Sequence, residues 1–350
     1  FSPTFPSLFR YSSASSLSQT PNVKRSWSTA IRASESPTEE AMDQSVASRF
    51  QELAREALER KQATTGEMTS SGRASQITVP RLPLPGFQLE SIGLRGRWEE
   101  VGGSFFLPVN RGVEPRGVVH FLGGAFIGAA PHLGYKYFLE ALSEEGFAVI
   151  CTPYNLSFSY VDVAAGIVVR SEAAMQHAED KYGKLPLIGM GHSCGALLHT
   201  LIPSFISSYQ PAASVLISYN NKPASESIPN FEDVVVPVSN ALLDSSETAS
   251  RFRGSLEAAI AEARKQADAF AASPLAPTAF EREVLPLSRQ GFKVVEQVPD
   301  LLVEIKEGKR EYTPDTQEVG ELLNDAYAVP QSLILQFQDD TLDESDKLAG

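Results

Sequence analysis

Between Leu185 and Leu198 an apolar run of strand length ends in Gly191-His192-Ser193-Cys194-Gly195, and an apolar segment of helical length follows at once. A serine between two such segments sits on a sharp strand-to-helix turn. The turn strains the backbone at the serine, and glycines two residues to either side let the chain pack while Oγ stands clear. The N-terminus of the following helix brings unpaired N–H groups and a positive dipole end to the same point. The pattern therefore predicts a sheet strand that delivers a nucleophile, with Ser193 in that role.

The flanking sequence has the rhythm that such a sheet requires. Short apolar runs at Val118 to Leu122, Phe147 to Pro153, Leu185 to Met190 and Ala213 to Tyr219 alternate with helical patterns at Tyr135 to Glu145, Ala164 to Tyr182 and Ala196 to Tyr209. Runs of this kind are how buried parallel strands and their crossover helices look in sequence. Ahead of them, Arg97 to Val109 around Gly102 and Gly103 predicts a β-hairpin. The rhythm breaks off between Asn220 and Val329, where Arg251 to Ala272 is the clearest helix, and returns at Ser332 to Phe337. The fold expected is α/β, of the α/β-hydrolase type: a mostly parallel sheet with helices on both faces and an inserted helical cap at about residues 221–330.

Acyl transfer at a serine needs two N–H donors for the oxyanion, one after the nucleophile and one from the loop after an earlier strand. Cys194 supplies the first. The loop Leu122-Gly123-Gly124-Ala125-Phe126 supplies the second, at Ala125. The triad acid follows a late strand in this fold, which places it at Asp340, whose spacing suits the role better than that of Asp339 or Asp343. The base is harder to place, because all five histidines lie at or before position 199. His120, His177, His192 and His199 read as ordinary strand, turn or helix histidines, and only His132 falls on a loop near the oxyanion segment. The expectation is that the triad histidine lies past Gly350, with the last strand and helix of the fold truncated, and that a fragment lacking them is unstable.

A formal charge of −13 argues against a nucleic-acid face. The two cysteines, Cys151 and Cys194, have neither metal-site nor disulfide-framework spacing. No run approaches the ~20 apolar residues of a membrane span. From Phe1 to Ala33 there are four basic residues and no acid among many serines, the composition of an organelle transit peptide, with Ala30-Ile31-Arg32-Ala33-Ser34 resembling a chloroplast processing site. The organisation expected is a transit peptide and disordered tail over 1–45, an amphipathic helix and linker over 46–81, and the α/β domain over 82–350.

The segment His120-Phe121-Leu122-Gly123-Gly124-Ala125-Phe126-Ile127-Gly128-Ala129-Ala130-Pro131, with Glu144-Glu145-Gly146-Phe147, the serine turn and Asp339-Asp340-Thr341-Leu342-Asp343-Glu344, is similar to a plant and cyanobacterial family catalogued as domain of unknown function 1350. The resemblance implies an α/β-hydrolase-like fold and, for plant members, the chloroplast; it implies no substrate. Function is expected to be serine hydrolysis of an ester or thioester of a small-molecule or lipid-like compound, without a cofactor. The alternatives are a catalytically silent binding or assembly factor of the plastid and an acyltransferase built on the same site.

Overall fold

The computed structural model describes residues 10–13, 45–65, 75–77, 98–125, 127–227, 231–242, isolated helical positions between 247 and 265, 298–337 and 339–349. Its strands are β1 (Arg10–Ser13), β2 (Ser75–Ile77), β3 (Trp98–Val101), β4 (Ser104–Leu107), β5 (Gly117–Leu122), β6 (Phe147–Cys151), β7 (Leu187–His192), β8 (Ala213–Ile217) and β9 (Ser332–Gln336). They form one sheet in the order β1-β9-β8-β7-β5-β6-β4-β3-β2. The five from β6 to β9 in space run parallel, and the β3–β4 hairpin adds antiparallel to β6. Its two-residue turn has positive φ at both Gly102 and Gly103, which glycine adopts without steric cost.

The chain winds outward from β5 to β6, then returns to the other side of β5 to lay down β7, β8 and β9. The reversal leaves a crevice between the carboxyl ends of β5 and β7, the place where open α/β sheets bind ligands. This is an α/β-hydrolase-type fold. All six residues of β5 are buried, as a strand covered on both faces requires.

Alternation along β5 divides the core. Val119 and Phe121 face helices α2 (Pro131–Gly134) and α3 (Lys136–Glu144), packing with Leu133, Leu139 and Trp98. Leu122 faces the opposite layer, in a core with side chains of α4 (Tyr160–Tyr182) and α5 (Cys194–Phe205). Helix α4 begins four residues before the expected Ala164 because Ser159 caps it, its side chain accepting from the Asp162 N–H. Helix α5 is buried along its whole length.

Three segments differ from their expected places. Helix α1 (Val46–Thr65) is not an appendage ahead of the domain: Ala47, Phe50, Ala54 and Ala57 are buried in the same core as α5, with Phe50 against Phe205 at 5.9 Å. The helix Thr316–Ala326, assigned by sequence to the insertion, buries Val319 and Leu322 in that core. A parallel β8-to-β9 connection needs a covering crossover helix, and this one fills the role. Within the stretch expected to be an unstructured leader, Arg10–Ser13 pairs antiparallel with β9, using backbone groups that an edge strand leaves open. The other residues of 1–44, and those of 66–74 and 78–97, lie outside the described residues.

Of the inserted segment, Ala224–Ser227, Phe231–Val235, Val236–Leu242 and Val298–Lys306 are helical. So are the described positions of the expected 251–272 helix. The insertion is anchored on the loop after β6 by aromatic contacts: Tyr312 stacks on Phe158 and Tyr160, and Phe231 packs on Phe158. Among the described residues no helix is long and apolar enough to cross a membrane.

If α1 is part of the folding unit, Phe50→Ala should cost about 3–5 kcal/mol, the usual penalty for emptying a buried aromatic site. Urea unfolding of the two proteins would show it as a lower midpoint at unchanged slope.

Candidate active site

Ser193 is the residue between β7 and α5, with φ 55° and ψ −122°. A side chain at positive φ is strained, and strain of this kind persists only where the surroundings over-determine it. Here the surroundings are backbone. A Cβ on Gly191 would lie 2.2 Å from the Gly195 carbonyl oxygen, and one on Gly195 would lie 2.3 Å from Leu122 O and 2.5 Å from Gly123 O. The turn therefore closes only with glycine at both places, and it closes directly onto the end of β5. The Ser193 N–H donates to Ile217 O at 2.9 Å, which ties the turn to the end of β8 as well.

The glycine loop after β5 lies against this turn. A Cβ on Gly124 would sit 3.4 Å from Ser193 Cβ and 3.1 Å from His192 Nδ1. The Gly128 N–H donates to Gly124 O at 2.6 Å and the Ile127 N–H to Ala125 O at 2.7 Å, closing a tight turn. The peptide joining Gly124 to Ala125 thus points its carbonyl into the turn. Its N–H, on Ala125, points the opposite way because C=O and N–H are antiparallel in a trans peptide. Cys194 is the first residue of α5, so its N–H is one of the groups a helix start leaves without an intrahelical partner. Its thiol has no part as a nucleophile: burial pushes it up to about 11, with the Tyr154 and Tyr160 hydroxyls holding back part of the rise.

The acid loop reaches the same edge. Ser218, at the end of β8 and itself at φ 49°, donates its hydroxyl to Asp340 Oδ2. Asp343 Oδ2 lies 3.1 Å from the same hydroxyl. Backbone bonds distinguish the two carboxylates. Asp343 accepts the Phe337 N–H on one oxygen and the Ser345 N–H on the other, which builds the turn. Among the described residues Asp340 accepts a backbone N–H only on Oδ1, from Leu342. Consecutive residues of one strand end, Ile217 and Ser218, therefore hold the serine turn and the Asp340 loop.

Four of the five histidines fall into three groups. His132 is buried with its ring stacked 3.5 Å from that of Phe105 and edge-on to Trp98. Phe105 lies on β4, three strands from β7, so His132 belongs to the aromatic core and is not a base for Ser193. His177 bonds Glu99 at 3.0 Å on the hairpin side of the sheet. His120 and His199 are fully buried between the sheet and α5. His120 Nδ1 bonds the Tyr209 hydroxyl at 2.6 Å and Nε2 bonds Thr152 at 2.8 Å. Neither ring nitrogen of His199 bonds another group among the described residues.

His192, read from sequence as an ordinary turn residue, is the exception. It is half-buried beside the glycine loop, with Nδ1 2.9 Å from the Tyr135 hydroxyl. Burial lowers its pKa, and the nearby carboxylates of Asp340 and Asp343 oppose that shift. Tyr135, Tyr154 and Ser218 are likewise site residues that no spacing rule singles out. Among the described residues no group of three or more His, Cys, Asp or Glu side chains converges to hold a metal ion.

Residues 97–263 match the family model described as "Protein of unknown function (DUF1350)". The matching segment contains Ser193, its glycines and the Gly123-Gly124 loop, while Asp340 lies outside it. Among solved structures the chain is similar to the hyperthermophilic esterase from the archaeon Pyrobaculum calidifontis, at 15% identity over 50% of this chain and 52% of that one, with a TM-score of 0.28. It is similar to bacterial heroin esterase at 18% identity over 49% and 53%, with a TM-score of 0.27, and to TT1662 from Thermus thermophilus at 19% over 37% and 58%, with 0.28. The chain thus spans a little over half the length of the solved structures it matches. No curated protein matches it.

Two outcomes follow from the serine turn and the histidines behind it. Ser193→Gly should raise the melting temperature, by relief of roughly 1 kcal/mol of backbone strain, while Ser193→Ala, which keeps a Cβ at positive φ, should not. The second concerns acid. Burial, slightly offset by the nearby backbone of His120 and Met190, holds His199 at about 3 against an ordinary 6.5, and burial lowers His120 in the same direction. Both are neutral in the fold. For His199 the unfolded chain binds the extra proton between pH 6.5 and 3, so its share of stability is complete above 6.5 and falls as pH drops through that window, by up to ~1.4 kcal/mol per pH unit, and His120 acts in the same direction. Chemical unfolding at pH 7 and pH 5 should show a smaller acid loss for His199→Leu than for wild type.

Proposed function

We propose that the protein is a serine hydrolase acting on a carboxylic ester or thioester. The observation that carries the reading is the strained Ser193 at the topological switch point, packed against a glycine loop whose Ala125 N–H points out of its own turn. In this mechanism Ser193 Oγ attacks the acyl carbon while a histidine takes its proton, and the tetrahedral oxygen is held by the Ala125 and Cys194 N–H groups. The same histidine returns the proton to the departing alcohol or thiol, leaving an acyl-serine. Water, deprotonated by the histidine, then releases the acid and regenerates the serine.

Asp340 orients that histidine. Among the described residues none of the five histidines is hydrogen-bonded to both Ser193 and Asp340. An apolar acyl or alcohol group suits the approach: Ile127 beside the glycine loop, and Phe337 and Leu342 around Asp340, are 44%, 41% and 38% exposed. The inserted segment, anchored through Phe231 and Tyr312 beside the loop after β6, is the proposed lid. The basic, acid-free start of the chain makes the chloroplast the proposed compartment.

A fluorophosphonate probe on the full-length protein should label Ser193, with labelling abolished in Ser193→Ala. The protein should also release free acid from a simple aryl ester with no acceptor present. Turnover only with an added alcohol or thiol acceptor would make it an acyltransferase. A folded full-length protein that the probe leaves unlabelled would overturn the catalytic reading in favour of a binding factor.

A further inference from the structure

The peptide unit between Gly123 and Gly124 is held at both ends by tyrosines. The Tyr154 hydroxyl donates to Gly123 O at 2.6 Å, and the Gly124 N–H donates to the Tyr135 hydroxyl oxygen at 3.0 Å. These are the carbonyl and the N–H of one planar group, so together they fix its rotation about the line joining the two Cα atoms. The unit needs fixing. Both flanking residues lack a Cβ, so a peptide flip between them meets little steric resistance. A flip would reverse the direction of the amide dipole beside the serine turn.

Each tyrosine is itself anchored. Tyr154 is buried, its N–H donates to Gly128 O at 2.9 Å, and its ring fills the place a Cβ on Gly128 would need. The Tyr135 ring packs against Phe121 at 4.8 Å, and a Cβ on Gly123 would lie 2.9 Å from it. The Tyr135 hydroxyl lies 2.9 Å from His192 Nδ1. A neutral His192 with its proton on Nε2 accepts from Tyr135 there, leaving the tyrosine oxygen to accept from Gly124. One hydrogen-bond chain thus runs from the residue before the nucleophile, through Tyr135, to the glycine loop.

Resting on the serine-hydrolase reading above, we propose that Tyr135, held by His192, is a positioning residue for the oxyanion site. By taking the Gly124 N–H it locks the Gly123–Gly124 peptide, the unit next to the one that carries the Ala125 N–H and that Gly128 holds through Gly124 O, so that the Ala125 N–H is the loop donor left for the tetrahedral oxygen. Neither side chain touches the reacting atoms. Their effect is confined to the step in which negative charge develops.

The test is the kinetics of fluorophosphonate labelling of the full-length protein, resolved into the saturation constant and the maximal bond-forming rate. Tyr135→Phe should leave the saturation constant within about twofold and lower the maximal rate by roughly tenfold or more, as loss of preorganised donors does. His192→Leu should show the same loss. His192→Asn, whose Oδ1 replaces Nδ1 as the acceptor, should restore most of the rate, which a role in packing alone would not predict. Should Tyr135→Phe fail to fold, the Leu and Asn variants read the same bond from its other side. Wild-type labelling with undiminished maximal rates in Tyr135→Phe and His192→Leu, or a change confined to the saturation constant, would overturn the positioning role while leaving the hydrolase reading intact. An unlabelled wild type would remove both.

Discussion

The carbonyl oxygens of Leu122 and Gly123 lie where a Cβ of Gly195 would have to go, and Gly195 in turn occupies the space of a Gly191 Cβ. This backbone-on-backbone contact joins the end of β5 to the start of α5 with no side chain between them. The rest of the site depends on it. It pushes Ser193 to positive φ, brings the Gly123-Gly124 loop against the serine turn, and sets the first N–H groups of α5 beside the loop that faces them. An interior packed at crystal-like density has no slack to absorb one added carbon at such a point.

The sheet was legible because its residues leave strong, local traces. Continuous apolar runs at β5, β6, β7 and β8 reflect strands covered on both faces, the glycines at 102 and 103 reflect a backbone conformation that few other residues adopt, and those at 191 and 195 reflect backbone approaches too close for a Cβ. The serine turn was legible for the same reason. Edges of elements were less so, since caps decide them: Ser159 starts α4 ahead of its apolar pattern. The place of α1 and of the helix Thr316–Ala326 could not be read from period alone. An amphipathic helix announces that it buries one face, not what it buries that face against, and Phe50 and Leu322 meet the same core from distant parts of the chain.

The polar side of the site was less legible still. Tyr135, Tyr154 and Ser218 act through single hydroxyl groups on residues common in any chain, and their partners are backbone atoms and carboxylates brought close only by the fold. Among three nearby aspartates, spacing favoured Asp340. What separates it from Asp343 in the structure is which carboxylate backbone N–H groups already saturate. His132, near the glycine loop in sequence, turns instead into an aromatic stack with Phe105.

The ties from Ile217 to the serine turn and from Ser218 to Asp340 put the two ends of a long excursion side by side, 122 residues apart in sequence for the second of them. Closing a loop of that size is entropically cheap to extend, because each doubling of its length adds only about 0.6 kcal/mol. The insertion can therefore grow, shrink or change composition over evolutionary time at little thermodynamic cost, so long as its return through Thr316–Ala326 is kept. The sheet and its glycine contacts hold the site geometry constant, while the excursion between β8 and β9 is the part of the chain whose length the fold constrains least.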